Sequence, residues 1–372
     1  MKKRILVWAY FSVNIGDDLF LKTLFDRYPE VKWDLLTANR NYKKVFRNYK
    51  NVNILYSYRG VFWGEREVNL FIKMNDVLLK YKKYEALVLI GGSIFKQNKG
   101  WENRYKERRN ILHSFSKLNK KVFIISANFG PYEDYCFMKK YDLLFSQCYD
   151  ICFRDSYSYT LFKHLKNVRL APDAVLSLEV KKAQVKEKCV GLSLINLEKR
   201  EELKAYNHAY NKKMVDLMNE YIAEGYKIKL FSFCQYEGDL KACQQILAKF
   251  PQEDQNMIRI INYDGQIDPF LEEYKTCELI IGARFHSIIL AFLFNQNVYP
   301  IIYSDKTYHT LVDLKMDKNC IFIKDIHKLE SKKVFQAACL NKVDQNILLQ
   351  AHRHFEELDQ FLFLFKSSSI NK

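Results

Sequence analysis

The stretch ELIIGARFHSIILAFLFNQNVYPIIY, residues 278–303, decides the fold. It opens with a continuous apolar run, ELIIGA (278–283), turns through Gly282-Ala283 and enters an apolar helix near Ser287. A second apolar run, VYPIIY (298–303), follows that helix. Continuous rather than alternating apolar runs mark strands buried on both faces, and strand–helix–strand in this span reads as a parallel βαβ unit.

The pattern extends outward in both directions. Upstream lie CVGLSLINL (189–197), a helix over about 206–224, KIKLFSFC (227–234), a helix over about 239–250, MIRIINY (257–263) and a helix from Asp268-Pro269 through Tyr274. The first half of the chain repeats the alternation. Its strand candidates are ILVWAYF (5–11), WDLLTA (33–38), NVNILY (51–56), ALVLIGG (86–92), VFIISANFG (122–130), DICFRD (150–155) and VRLAPDAV (168–175). Helices over 18–25, 68–81, 101–118 and 156–165 fit between them. The expected fold class is α/β, with two Rossmann-like domains facing across a cleft. The domains are residues 1–180 and 189–342, joined by the charged stretch EVKKAQVKEK (179–188). Residues 343–372 hold an amphipathic helix expected to pack back on the first domain.

At 372 residues the chain is too long for one ordinary core, and 48% hydrophobic residues suffice for two. The 59 Lys and Arg outnumber 43 Asp and Glu, a net charge of +16. That excess favours anionic partners such as phosphorylated metabolites or an anionic membrane surface, or else reflects a residue bias with solvated lysine faces. No zinc-finger spacing or RNP-like aromatic motif is present, so nucleic acid is not an expected partner. The nine cysteines are odd in number and form no C-x-x-C, which reads as reduced, mostly buried thiols in a reducing compartment. Cys148 and Cys152, at i and i+4, read as sharing a helix face. The start, MKKRILVWAYFSV, imitates a signal peptide but lacks an A-x-A-like cleavage site, and reads as a buried first strand. No run of 18 uncharged apolar residues exists, so the expected location is cytoplasmic, with peripheral attachment to the inner membrane face left open.

In open α/β sheets ligands sit beyond the carboxyl ends of strands, so the polar residues there are the candidates. NIGDD (14–18) follows the first strand: Gly16 allows close approach, Asp17 or Asp18 can cap the next helix, and its free amides suit a phosphate or a sugar hydroxyl. An ordinary strand-to-helix turn is the plain alternative. IGGSIF (90–95), with Gly92 and Ser93, and SANFGP (126–131), with Asn128, end two further strands. In FRDSYS (153–158) Asp155 occupies an N-cap-like position, and Arg154 is either its surface partner or a forked clamp for a carboxylate or phosphate. GARFHS (282–287) carries the sharpest signal. Arg284, Phe285 and His286 stand at the mouth of an apolar helix, whose N-terminus favours an anion. His286 adds a proton donor that titrates near neutrality. Tyr303 and Lys306 in YSDK follow the next strand and can close over the same ligand. No H-E-x-x-H, G-x-S-x-G, Walker loop or Cys/His cluster is present, so no metal, no cofactor and no acyl-enzyme is expected.

Taken in order and spacing, NIGDD, IGGS, SANFGP, FRDSYS, PDAV (172–175), GARFHS and YSDK resemble the polysaccharide pyruvyl transferase family, from about residue 5 to 310. The resemblance implies a GT-B-like fold and transfer of a pyruvyl group from phosphoenolpyruvate to a sugar, with a cyclic ketal formed and phosphate released. By that resemblance Arg154, Arg284, Phe285, Ser287 and Lys306 bind phosphoenolpyruvate, His286 is the general acid and Asp17 the base. Asn14, Gly16, Asp18, Gly92, Ser93 and Asn128 then face the acceptor, expected to be a glycan or lipid-linked oligosaccharide precursor of a capsule or exopolysaccharide. Two positions depart from the family pattern: a triple-glycine turn is Gly91-Gly92-Ser93 here, and Ser126 stands where the family has glycine. Competing readings are a GT-B glycosyltransferase, with Glu237 or Asp239 holding a nucleotide ribose, and a non-catalytic glycan-binding homologue.

Overall fold

The apolar runs assemble into two parallel sheets in the computed structural model, which describes residues 3–57, 59–62, 66–69, 81–183 and 185–369. Strands β1 (Arg4–Trp8), β2 (Lys32–Thr37) and β3 (Val52–Tyr56) come first, then an antiparallel pair, β4 (Arg59–Phe62) with β5 (Arg66–Asn69). Next come β6 (Ala86–Ile90), β7 (Lys121–Ala127), β8 (Asp150–Phe153) and β9 (Val168–Leu170). Apart from the β4–β5 pair they form one sheet in the order β3-β2-β1-β6-β7-β8-β9. Helices α1 (Ile15–Arg27), α2 (Tyr42–Val45), α3 (Trp101–Lys117), α4 (Tyr135–Phe145) and α5 (Ser156–Phe162) accompany it.

The second sheet holds β10 (Glu187–Ser193), β11 (Lys227–Ser232), β12 (Ile258–Asn262), β13 (Cys277–Gly282), β14 (Asn297–Ile302) and β15 (Ile321–Phe322), in the order β12-β11-β10-β13-β14-β15. Its helices are α6 (Asn207–Ala223), α7 (Asp239–Leu247), α8 (Gln252–Gln255), α9 (Ile267–Lys275), α10 (Phe285–Leu293), α11 (Asp305–Asp313) and α12 (Ser331–Leu340). The chain ends through α13 (Gln345–Ala351) and α14 (Glu356–Ser369). In both sheets the order runs outward from the first strand and then reverses, as in doubly wound dinucleotide folds. The reversal falls between β1 and β6 in one and between β10 and β13 in the other. Ligands of such folds bind beyond the strand ends at that reversal.

The chain divides into two compact units. The first comprises Met1–Phe11, Phe20–Ser177 and Leu349–Lys372, and the second Ser12–Leu19 with Leu178–Leu348. Residues 12–19, which include NIGDD, therefore group with the second unit, where the sequence reading had placed them in the first. Within the first unit the tail is tied down by polar contacts. Lys3 donates to the carbonyls of Phe361 and Leu362, Arg27 pairs with Asp359 at 2.5 Å, and Arg169 pairs with Glu356 at 2.9 Å.

Several elements differ from the sequence reading. β1 stops at Trp8 rather than Phe11, although Ile5, Leu6 and Val7 are fully buried, each worth about 1.5–3 kcal/mol. The run 168–175 is a strand only to Leu170. Pro172 has no N–H for a ladder, and Asp173 instead accepts from the amide of Val175 and starts a short 3-10 turn over Ala174–Ser177. Cys148 and Cys152 do not share a helix, because Cys148 follows α4 and Cys152 lies in β8. Of the helix expected over 68–81, Val68 and Asn69 belong to β5, and residues 70–80 lie outside the described residues. All nine cysteines are free thiols, six of them buried. Among the described residues no helix is long and apolar enough to cross a membrane.

Candidate active site

The carboxyl end of the reversal in the second sheet is stitched by one hydroxyl. Ser193, the last residue of β10, accepts from the amides of Ala283 and Arg284 at 3.0 and 3.1 Å, and donates to the hydroxyl of Ser287 at 2.7 Å. Ser287 in turn donates to the carbonyl of Arg284 at 2.6 Å. These bonds fix the step from β13 into α10, which begins at Phe285, two residues before the sequence reading put it. Arg284 is its N-cap residue. In α10 every side chain is buried except His286. A helix apolar on all sides belongs inside a fold, so the one half-exposed imidazole at its first turn stands out.

His286 is set directly against NIGDD. A methyl group added at Gly16 would lie 2.1 Å from His286 Nδ1 and 2.6 Å from its Cγ. The imidazole therefore rests on the bare backbone of the first turn of α1, and only glycine allows that approach. Phe285 meets the same ring edge-on at 4.9 Å, and Lys306, in the first turn of α11, holds its Nζ 5.4 Å from the Phe285 ring.

The remaining NIGDD groups are largely engaged within the fold. Val13 has a φ of 51°, which turns the chain out of β1's extension. Asn14 caps α1 through its side chain, accepting from the amide of Gly16 at 3.0 Å, while its carbonyl accepts from Asp17 and Asp18. The cap is thus Asn14, the residue preceding the helix, and not Asp17 or Asp18. The amide of Ile15 donates to Phe233, so the helix-start amides expected to hold a ligand are all bonded internally. Asp18 is fully buried and accepts from the Tyr263 hydroxyl at 2.6 Å, whereas Asp17 is half-buried. Ser287, also fully buried, sits beneath the turn.

Arg284 does not present an open fork. Its Nε donates to Asp239 Oδ2 at 2.8 Å and its Nη2 to Asp239 Oδ1, a bidentate pair with a fully buried carboxylate. Its Nη1 donates to Glu237 Oε2 at 2.5 Å. Gly238, at a φ of 91°, turns the chain between the two acids so that both reach one guanidinium. Burial works against the charge on Arg284, but Asp239 and Glu237 more than offset it, so the guanidinium stays charged. Asp239 Oδ2 also accepts from the amide of Cys234.

Arg154 is likewise engaged, within the first unit. It is 2% exposed, donates from Nη1 to Asp173 at 2.7 Å and from Nη2 to Asn128 at 2.8 Å, and lies 5.7 Å from the Phe20 ring. A methyl at Gly92 would fall 2.3 Å from its Nη2. Asn128 also accepts weakly from Ser93, at 3.4 Å. Asp155 caps α5 by accepting from the amide of Ser158, and Arg154 pairs with Asp173 of the PDAV stretch. In the structure the forks of Arg154 and Arg284 are each engaged largely by carboxylate or amide oxygens of their own unit.

A sequence model described as polysaccharide pyruvyl transferase matches residues 14–305, more than three-quarters of the chain. The chain belongs to the polysaccharide pyruvyl transferase family. Solved structures show the fold shared with it at low identity. UDP-GlcNAc 2-epimerase from Methanocaldococcus jannaschii matches with a TM-score of 0.60 and 12% identity, over 96% of this chain and 99% of that one. The Glycyrrhiza uralensis protein UGT73P12 matches at 0.57 and 9% identity, over 100% and 98%. The E. coli ADP-heptose lipopolysaccharide heptosyltransferase II matches at 0.50 and 15%, over 94% and 99%. This pyruvyl transferase family member is thus a GT-B-like protein of two Rossmann-like α/β sheets.

Where the family pattern has glycine, Ser126 takes a φ of 56° at the end of β7. That is the left-handed region glycine favours, and Ser126 holds it while accepting from the amide of Ala174 at 3.0 Å. Sequence reasoning gave no role to Asp173 or Arg200 and did not pair Asp239 with Arg284. The available signal was an arginine at a buried helix cap, which requires a carboxylate nearby, with Glu237 and Asp239 following β11, one strand removed from β13. Among the described residues no group of three or more His, Cys, Asp or Glu side chains could hold a metal ion.

Proposed function

We propose that this chain transfers the pyruvyl group of phosphoenolpyruvate to two hydroxyls of a sugar in a surface-polysaccharide precursor, forming a pyruvate ketal. The observation that carries the reading is His286, the one side chain of α10 left half-exposed, resting on Gly16 beside Asp17. Family membership supplies the reaction class.

In this mechanism the His286 imidazolium gives a proton to the methylene carbon of the donor, and C2 becomes oxocarbenium-like. One sugar hydroxyl adds to C2 and passes its proton to Asp17. The C2–O bond to phosphate then breaks, and the second hydroxyl closes the ketal. Asp17 passes the first hydroxyl's proton to the leaving phosphate, and the second hydroxyl's proton replaces that lost from His286. Lys306 and the remaining N–H groups of Arg284 attract the donor's negative charge, aided by the N-terminal dipole of α10. Ser287 and Asp18, being fully buried, set positions rather than touch substrate, and Arg154 holds the Gly92 and Asn128 turns in place.

The glycosyltransferase reading is weakened by Asp239, whose two oxygens both accept from Arg284, Oδ2 accepting from the Cys234 amide as well. Incubation of the protein with phosphoenolpyruvate and lipid-linked glycans, followed by mass spectrometry, tests the proposal. A product heavier by one pyruvyl ketal is expected. A nucleotide sugar consumed in place of phosphoenolpyruvate would replace this reading with the glycosyltransferase.

A further inference from the structure

The two carboxylates on Arg284 differ in how firmly they are held. Asp239 is fully buried, binds Arg284 through both oxygens and accepts a backbone amide as well. Breaking such a pair leaves an uncompensated buried charge and is strongly unfavourable. The Glu237 side chain is 30% exposed, and one of its oxygens meets two guanidinium groups. That oxygen, Oε2, bridges Nη1 of Arg284 at 2.5 Å and Nη2 of Arg200 at 2.8 Å. Arg200 is also 30% exposed, and its guanidinium is steadied over the Tyr303 ring at 4.7 Å. The Arg200–Glu237 arm is partly exposed on both sides, and exposed ion pairs contribute little net stability, so Glu237 can give way there to another anion at small cost. Two guanidinium groups converging on one oxygen form the kind of site that recognises a carboxylate or phosphate.

We infer that Arg200 and Arg284 form an anion subsite of the donor site, occupied in the resting protein by the Glu237 carboxylate, which the incoming donor displaces. The inference rests on the proposed function only for the donor's identity; the subsite itself accepts a small carboxylate or a phosphate. Asp239 stays bound throughout and keeps Arg284 aimed. Arg200, outside every motif that points to the family, becomes a binding residue, and Glu237 a built-in competitor that sets donor affinity.

The test is calorimetric titration of phosphoenolpyruvate, pyruvate and inorganic phosphate into the full chain, its Glu237→Gln variant and its Arg200→Gln variant, with melting curves to confirm folding. Removing the competing charge should tighten phosphoenolpyruvate binding by about 5-fold. Losing the second guanidinium should weaken it by about 10-fold or more. Pyruvate tightening in Glu237→Gln identifies the carboxylate end as the displacing group, and inorganic phosphate tightening identifies the phosphate end. Unchanged or weaker binding of all three probes in Glu237→Gln overturns the inference. If that variant does not fold, Arg200→Gln decides alone, and unchanged affinity there overturns it. Phosphate titrations that shift as described in a protein that never consumes phosphoenolpyruvate would keep the subsite and discard the pyruvyl reading. Ketal formation with all affinities unmoved would do the reverse.

Discussion

Each unit lays a cationic or titratable side chain on a glycine, and the two arrangements expose the result differently. In the first unit Arg154 lies on Gly92, is closed in by Asp173 and Asn128, and is 2% exposed. In the second His286 lies on Gly16 and is half-buried, and nearby Arg284 carries one sealed and one partly exposed carboxylate. A sealed ion pair fixes a turn, while a titratable group that is only partly enclosed is placed to exchange protons. The comparison predicts that changes in the first cluster appear as lost stability and changes in the second as lost turnover.

His286→Ala offers the largest expected effect. Loss of a general acid lowers turnover by about 10²–10⁴-fold, with phosphoenolpyruvate affinity largely retained. Turnover of the variant within 2-fold or so of the parent would remove His286 from proton transfer. Next in size, Asp173→Ala strands the Arg154 charge in a buried site and costs about 3–5 kcal/mol in denaturant unfolding. A cost near that of an exposed pair would mean that the first cluster is not sealed.

The first unit also carries an acid-sensitive group. Burial, with the Arg169 charge adding to it, pushes the His354 imidazole down to about 3 from its usual 6.5. The unfolded chain therefore takes up this proton first as pH falls, and the stability tied to neutral His354 is lost between about pH 6.5 and pH 3. Urea unfolding at pH 7 and pH 4 should show the parent losing about 3 kcal/mol more than His354→Gln. Equal losses would show that His354 is not the acid-sensitive group.

The paired glycine variants sharpen the contrast most directly. Gly16→Ala must push the imidazole aside and should cut turnover by about 10²-fold, as a displacement on the order of 1 Å does, with a small change in melting temperature. Gly92→Ala crowds a buried guanidinium and should lower stability by about 1–3 kcal/mol, the scale of overpacking. The opposite pattern, Gly16→Ala unfolding the protein and Gly92→Ala abolishing turnover alone, would invert the account.

These clusters show what the sequence could disclose. Buried strands and the NIGDD and GARFHS turns were legible because apolar continuity and glycine placement are local signals. Gly16 and Gly92 were read as places where a ligand comes close, and the groups that lie against them are His286 and Arg154 of this chain, which no local pattern reveals. The carboxylate partners were not legible. Asp173 lies 19 residues from Arg154, and Asp239 lies 45 residues from Arg284 on a different strand-to-helix connection. Such pairings arise only when the sheet order brings β8 beside β9 and places β10 between β11 and β13.

The central claim, that His286 protonates the donor's methylene carbon, is tested most directly by running the reaction in D2O and examining the product by mass spectrometry and proton NMR. One deuterium in each ketal methyl group, with His286→Ala forming product at least about 10²-fold more slowly, is the predicted result. A ketal methyl without deuterium, or a product formed by His286→Ala at the parent's rate, would contradict it.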